Sequence, residues 1–164
     1  MELRTFGDVR RGLRDEGWCK QRQKGSHEQW YHPDGRGPVT VAGKDSHTVP
    51  PGTWNSIKKQ MGASPSRKEL DILSLVMLPV TSGGTPFVKK VVRVVVEPAV
   101  QDGTVLNYCS YAPDWPGCVS AGDTPMEALE LIKEALSWHI GALTGEELSA
   151  DQIDLKVIEA QRGI

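Results

Sequence analysis

The sequence has little cysteine and no long apolar run, and each shortage removes a class of protein. No stretch of its 164 residues approaches the roughly 20 apolar residues that span a bilayer. The N-terminal stretch ELRTFGDVRRGLRDEG is charged and amphipathic, unlike a signal peptide. A cytoplasmic protein without a membrane partner is expected. The three cysteines, Cys19, Cys109 and Cys118, are odd in number, and none sits in a C-x-x-C pair. That argues against a zinc site or a disulfide framework and for buried free thiols. Neither a metal nor a cofactor is expected.

What is present is a split charge. The total is only −2, but residues 1–62 hold 11 Lys and Arg against 7 Asp and Glu, and residues 91–164 hold 4 against 12. A basic first half and an acidic second half suggest two modules that attract each other. Solvated faces that differ by chance are the alternative, which a swing from +4 to −8 disfavours.

Local patterning divides the chain in the same way. Thr5 reads as a helix N-cap with Asp8 in the first turn, Phe6, Val9 and Leu13 as the buried stripe, Gly17 as the stop, and Arg10, Arg11 and Arg14 as the opposite face. WCKQRQ, HEQWYH and PVTVAG read as strands, joined by the turns KGS and PDGRG. TWNSIKKQMG reads as a second helix capped by Thr53. Residues 1–62 are thus α-β-β-β-α, with a small antiparallel sheet covered on one face and Trp18, Trp30 and Trp54 supplying core. Residues 63–88 form a connector whose apolar stretch LDILSLVMLPV is expected to pack on one of the modules. Residues 89–164 read as β-β-β-α with a final strand over Ile153, Leu155 and Val157. The helix after Asp123 has the strongest signals: Thr124 as N-cap, Pro125 at N1, Glu127 at N3 for a capping box, and Gly145 as the stop. The fold class is α+β.

The residues GWCKQRQKGSHEQWYHPDG, VTVAGK and VPPGTWNSIKKQMG resemble the HicA family of toxins, small RNA-cleaving proteins of bacterial toxin–antitoxin pairs. YCSYAPDWPGCVSAGDTPMEALELIKEALSWHIGAL, preceded by VVRVVVEPA, resembles the HicB antitoxin family. The order is toxin then antitoxin, here in one polypeptide. The resemblance implies a dsRBD-like first module, similar to double-stranded-RNA-binding domains, and a degenerate RNase H-like second module without catalysis. It implies RNA, and mRNA in particular, as partner, and a toxin–antitoxin contact within one chain or between chains of a homo-oligomer. Many HicB proteins continue into a DNA-binding domain. This sequence ends at Ile164 without one, so DNA binding is not expected.

Cleaving RNA needs a base to activate a 2′-hydroxyl or water, and cations near the phosphate. Histidine suits the first role because its pKa lies near neutrality. Taken alone, a histidine at a strand start is more often structural. In the HicA pattern the histidine of GSH is catalytic, and that role carries onto His27. Lys20, Arg22 and Lys24 are candidate phosphate contacts. Gly25 allows positive φ and close backbone approach, and Ser26 offers a hydroxyl and an N–H. Lys58 and Lys59 either extend the basic face or are simply solvated. His47 is a weaker candidate for a second acid/base, while His32 and His139 read as structural. Of Trp30 and Tyr31, one is expected in the core, and the other either packs or stacks on a base. Asp102, Asp114 and Asp123 are the carboxylates a metal-dependent nuclease would need, but each reads better as a turn or cap residue.

The expected function is a metal-independent endoribonuclease held inactive by a tethered inhibitor. A flexible connector would span roughly 30 Å and keep the inhibitor at about millimolar effective concentration. His27 is expected to lie beneath the acidic half. A non-catalytic RNA-binding or scaffold protein is the alternative.

Overall fold

The computed structural model describes residues 4–62, 90–145 and 148–159. The apolar connector stretch LDILSLVMLPV lies outside the described residues. The described elements run β1 (Arg4–Thr5), α1 (Phe6–Asp15), β2 (Cys19–Lys24), β3 (His27–Tyr31), β4 (Val39–Ala42), β5 (Thr48–Val49), α2 (Pro51–Met61), β6 (Lys90–Gln101), β7 (Thr104–Tyr111), β8 (Cys118–Gly122), α3 (Pro125–Thr144), a short 3-10 turn and β9 (Ile153–Ile158). The class is α+β, as the patterning predicts.

Chemistry at the ends explains the helices. At α1, Thr5 accepts from the Asp8 N–H, and the Asp8 carboxylate accepts from the Thr5 N–H at 2.9 Å. That backbone hydrogen bond holds the Asp8 carboxyl below its ordinary range. At α3, Thr124 caps the Glu127 N–H and Gly145 closes the helix at φ 79°. The expected capping box is displaced by one residue, since Glu127 accepts from the N–H of Asp123 rather than of Thr124. The second helix corrects the sequence reading. It starts at Pro51, with Pro50 as an N-cap that has no side-chain oxygen, so Thr53 lies within the first turn. Glu97, on β6, supplies the missing acceptor: its Oε1 takes the Thr53 N–H at 2.6 Å and the Thr53 hydroxyl at 2.9 Å. A carboxylate at a helix N-terminus also complements the macrodipole.

Seven strands form one sheet in the order β2-β3-β4-β8-β7-β6-β9. It crosses from the first half of the chain to the second. Its joint is a parallel pairing of β4 with β8, with Thr40 opposite Cys118, Val41 opposite Val119 and Ala42 opposite Ser120. The small pairing of β1 with β5 was not signalled by the sequence.

Alternation across the strands builds two cores. On one face, Phe6, Val9 and Leu13 of α1 and Ile57 of α2 pack on Trp30, Val39 and Val41, and also on Cys109, Val119 and Ala121 from the second half. On the other face, Ile132, Ala135, Leu136 and Ile140 of α3 pack on Val92, Val94 and Cys118, and also on Ala42 from the first half. The result is three layers, with α1 and α2 on one side of the sheet and α3 on the other. Trp18 and Trp30 are buried, while Trp54 lies at the margin of the first core.

Burial pushes the thiols of Cys109 and Cys118 upward, whereas Cys19 is exposed. A thiolate is the reactive form. The native protein should therefore give one fast-reacting thiol to a disulfide reagent at mildly alkaline pH, and the denatured protein three; Cys19→Ser should abolish the native signal.

Candidate functional site

The KGSH corner is a tight β2–β3 turn. Gly25 adopts φ +60°, a region that L side chains rarely enter. His27 then opens β3, paired with Lys24 on β2 and Ala42 on β4. His27, Gln29 and Tyr31 share one face of β3, and Glu28 and Trp30 share the other.

An irregularity in β2 decides which cations join His27. At a spacing of two, Lys20, Arg22 and Lys24 would all face the same way. A bulge between Lys20 and Arg22 breaks that register, placing Lys20 opposite Trp30 and Arg22 opposite Gln29. Arg22 and Lys24 therefore lie on the face of His27. Lys20 lies on the other face, where its Nζ is 3.1 Å from the Glu28 carboxylate.

Beneath the corner is a buried ionic knot centred on Arg10, which the sequence reading leaves on the solvent side of α1. Arg10 is only 7% exposed. Its guanidinium donates to Glu28, to Asp45 at 2.6 Å, to the Gly43 carbonyl at 2.7 Å and to the Ser26 carbonyl at 3.4 Å. These bonds tie α1 to both sides of the corner. The available signal was Glu28 itself: alternation sends it inward beside Trp30, and a buried carboxylate requires a cation.

The opposite side of the corner is closed by α3. His27 is 6% exposed. Its Nε2 lies 3.3 Å from the Leu131 carbonyl and 3.5 Å from a Glu134 carboxylate oxygen. A carbonyl only accepts, so Nε2 carries the hydrogen and donates it to α3. The Trp138 ring sits 5.8 Å from the His27 ring, and the Arg22 guanidinium lies 3.8 Å over the same indole. Leu131, Glu134 and Trp138 are three and four residues apart, so they share one face of α3.

Comparison with known proteins divides the chain at the same place. Residues 7–63 match the family described as HicA toxin of bacterial toxin-antitoxin. Residues 93–161 match HicB-like antitoxin of bacterial toxin-antitoxin system. The chain is a HicA toxin region followed by a HicB-like antitoxin region. A 49-residue stretch is also 51% identical to an uncharacterized 14.9 kDa protein in the rep-hol intergenic region of Haemophilus phage HP1 (strain HP1c1), covering 29% of this chain and 34% of the phage protein. The chain thus spans about a third of that relative's length. No solved structure matches.

The KGSH corner belongs to the HicA region and its cover to the HicB-like region. The remaining candidates spread across the molecule. Lys58 and Lys59 lie on α2, across the sheet from His27, with the Lys58 ammonium 5.8 Å from the Trp54 ring. His47 takes the Lys44 N–H on Nδ1 and donates from Nε2 to Asp123 at 3.1 Å, so it fastens the toxin region to the start of α3. His139 is fully buried and bridges Thr40 to the Pro116 carbonyl. His32 accepts the Asp34 N–H on Nδ1 and donates from Nε2 to the Glu16 carbonyl at the end of α1. Trp30 is core, and Tyr31, on the His27 face, is half-buried. Asp114 pairs with Arg93, which holds the Asp114 carboxyl low. Asp102 sits in a turn at φ 52°. Among the described residues no three His, Cys, Asp or Glu side chains gather as a metal site, and no helix is long and apolar enough to cross a membrane.

Removing one partner from a buried charge pair costs about 3 kcal/mol or more. Arg10→Ala should therefore lower the urea unfolding free energy by about 3 kcal/mol. Arg11→Ala, whose side chain is exposed, should change it by less than about 0.5 kcal/mol.

Proposed function

We propose that the HicA region is a metal-independent endoribonuclease acting on mRNA in the cytoplasm, and that α3 of the HicB-like region keeps it closed within the same chain. The observation that carries this reading is the position of His27: a lone histidine beside two cations, with Nε2 bound to the backbone of the antitoxin helix. The order α1-β2-β3-β4-α2 suits a small RNA-binding unit of the dsRBD type. The second region, in which Asp102 sits in a turn, Asp114 pairs with Arg93 and Asp123 meets His47, suits a non-catalytic RNase H-like inhibitor.

In the open state Nε2 is free of Leu131. Unprotonated, His27 takes the proton from the attacking hydroxyl, either the ribose 2′-hydroxyl or a water. As that oxygen bonds to phosphorus, the 5′-oxygen leaves and collects a proton from solvent or from a protonated group. Lys24, directly opposite His27, offsets charge on the phosphate. Closure by α3 blocks two needs at once: Nε2 is spent as a donor, and the space above the ring is filled.

The test uses the full chain. Glu134→Ala with Trp138→Ala should loosen the cover without touching the HicA region. The double variant should cleave a mixed-sequence single-stranded RNA more than about tenfold faster than the unaltered chain, in EDTA as well as without it. Adding His27→Ala should remove the gain. Binding of RNA without cleavage by the opened variant would favour a non-catalytic RNA-binding protein. Cleavage that survives His27→Ala would overturn the assignment of the base.

A further inference from the structure

We propose that Arg22 and His27 line a nucleobase-stacking subsite, and that Trp138 fills it as a surrogate base, with Glu134 standing where a phosphate would. This rests on the RNA reading of the HicA region and deepens it, because it gives Arg22 a role other than phosphate contact and makes the antitoxin helix an imitation of a ribonucleotide.

The arrangement of Arg22 points to a flat π system. It is an exposed strand residue that, among the described residues, pairs with no carboxylate, and its guanidinium lies 3.8 Å over the Trp138 indole. A delocalised guanidinium stacks on aromatic faces far better than a lysine ammonium does. The His27 ring also lies beside this indole, its centroid 5.8 Å away and its plane inclined by 51°. An indole is a planar bicycle of purine dimensions. Arginine and histidine are also the residue types on which unstacked RNA bases are held.

The carboxylate completes the outline. Glu134 lies one turn before Trp138 on the same face of α3, with an oxygen 3.5 Å from His27 Nε2. An anion beside the candidate base, joined to a flat ring one helical turn away, has the layout of a phosphate and its neighbouring base. The Glu134 side chain keeps 47% of its exposure, so this position is open at its rim. A Trp in contact with both a histidine and an arginine, with an acid one turn away, matches a nucleotide's chemistry.

The experiment vacates the subsite in the full chain with Trp138→Ala and measures binding of adenosine 5′-monophosphate, with ribose 5-phosphate as the probe that lacks a base. The variant should bind adenosine 5′-monophosphate about tenfold more tightly than the unaltered chain. Ribose 5-phosphate should gain much less, and Arg22→Ala in the same background should remove the gain. No gain in a variant that circular dichroism shows to be folded overturns the proposal. So does an equal gain for ribose 5-phosphate, or a gain that survives Arg22→Ala. If Trp138→Ala does not fold, Trp138→Val, which has no flat ring and is much smaller than an indole, leaves the subsite largely open and serves with the same criteria. Adenosine 5′-monophosphate has no internucleotide bond, so the result does not depend on whether His27 cleaves RNA.

Discussion

The parallel pairing of β4 with β8 is the contact on which the rest of the structure depends. A small three-stranded sheet leaves the backbone of an outer strand unpaired, and such an edge is a template for whatever strand arrives. Here the outer strand of the toxin region meets the outer strand of the antitoxin region. Thr40 opposite Cys118, Val41 opposite Val119 and Ala42 opposite Ser120 make two sheets one. The same pairing lays α3 across the boundary, because the helix that follows β8 must cover the face on which Ala42 and His27 lie.

The joint is reinforced from both sides. Asn107 of β7 presents its carboxamide to Thr48 like a strand backbone, accepting the Thr48 N–H at 2.8 Å and donating to its carbonyl at 2.9 Å. Glu97 caps α2 from across the boundary. Gly117 donates its N–H to the Ser56 hydroxyl, and a Cβ there would lie 2.5 Å from the Gln60 side chain, so only glycine fits between β8 and α2. His47 reaches Asp123 and His139 reaches Thr40. These are directed polar bonds between the halves, and they fix one arrangement where charge attraction alone would allow many.

Much of this was legible in the sequence because it rests on local chemistry. Thr124, Pro125 and Gly145 bound α3 correctly, Thr5 and Asp8 start α1, and the KGS and PDGRG turns separate the strands in the right order. The paired resemblance pointed to the right families, and His27 does lie beneath α3. What sequence could not show is non-local. The pairing of β4 with β8 joins segments far apart in the chain and leaves no periodic trace. The bulge that turns Lys20 away from His27 has no marker in WCKQRQ. Arg10 has the spacing of a solvent-facing residue and is buried because Glu28 needs it. Thr53 looked like an N-cap because Ser and Thr usually are, but the helix begins earlier on Pro51 and takes its cap from Glu97, a residue on the other side of the connector.

The central claim is that the two regions share one sheet and that this closes the corner at His27. It is tested most directly by hydrogen exchange at the Thr40 amide, which donates to the Gly117 carbonyl across the joint at 2.8 Å. In the intact chain that amide should exchange only through global unfolding, as slowly as the buried amides of α3. Exchange of Thr40 by local opening, while the amides of β3 and β7 remain protected, would contradict the account.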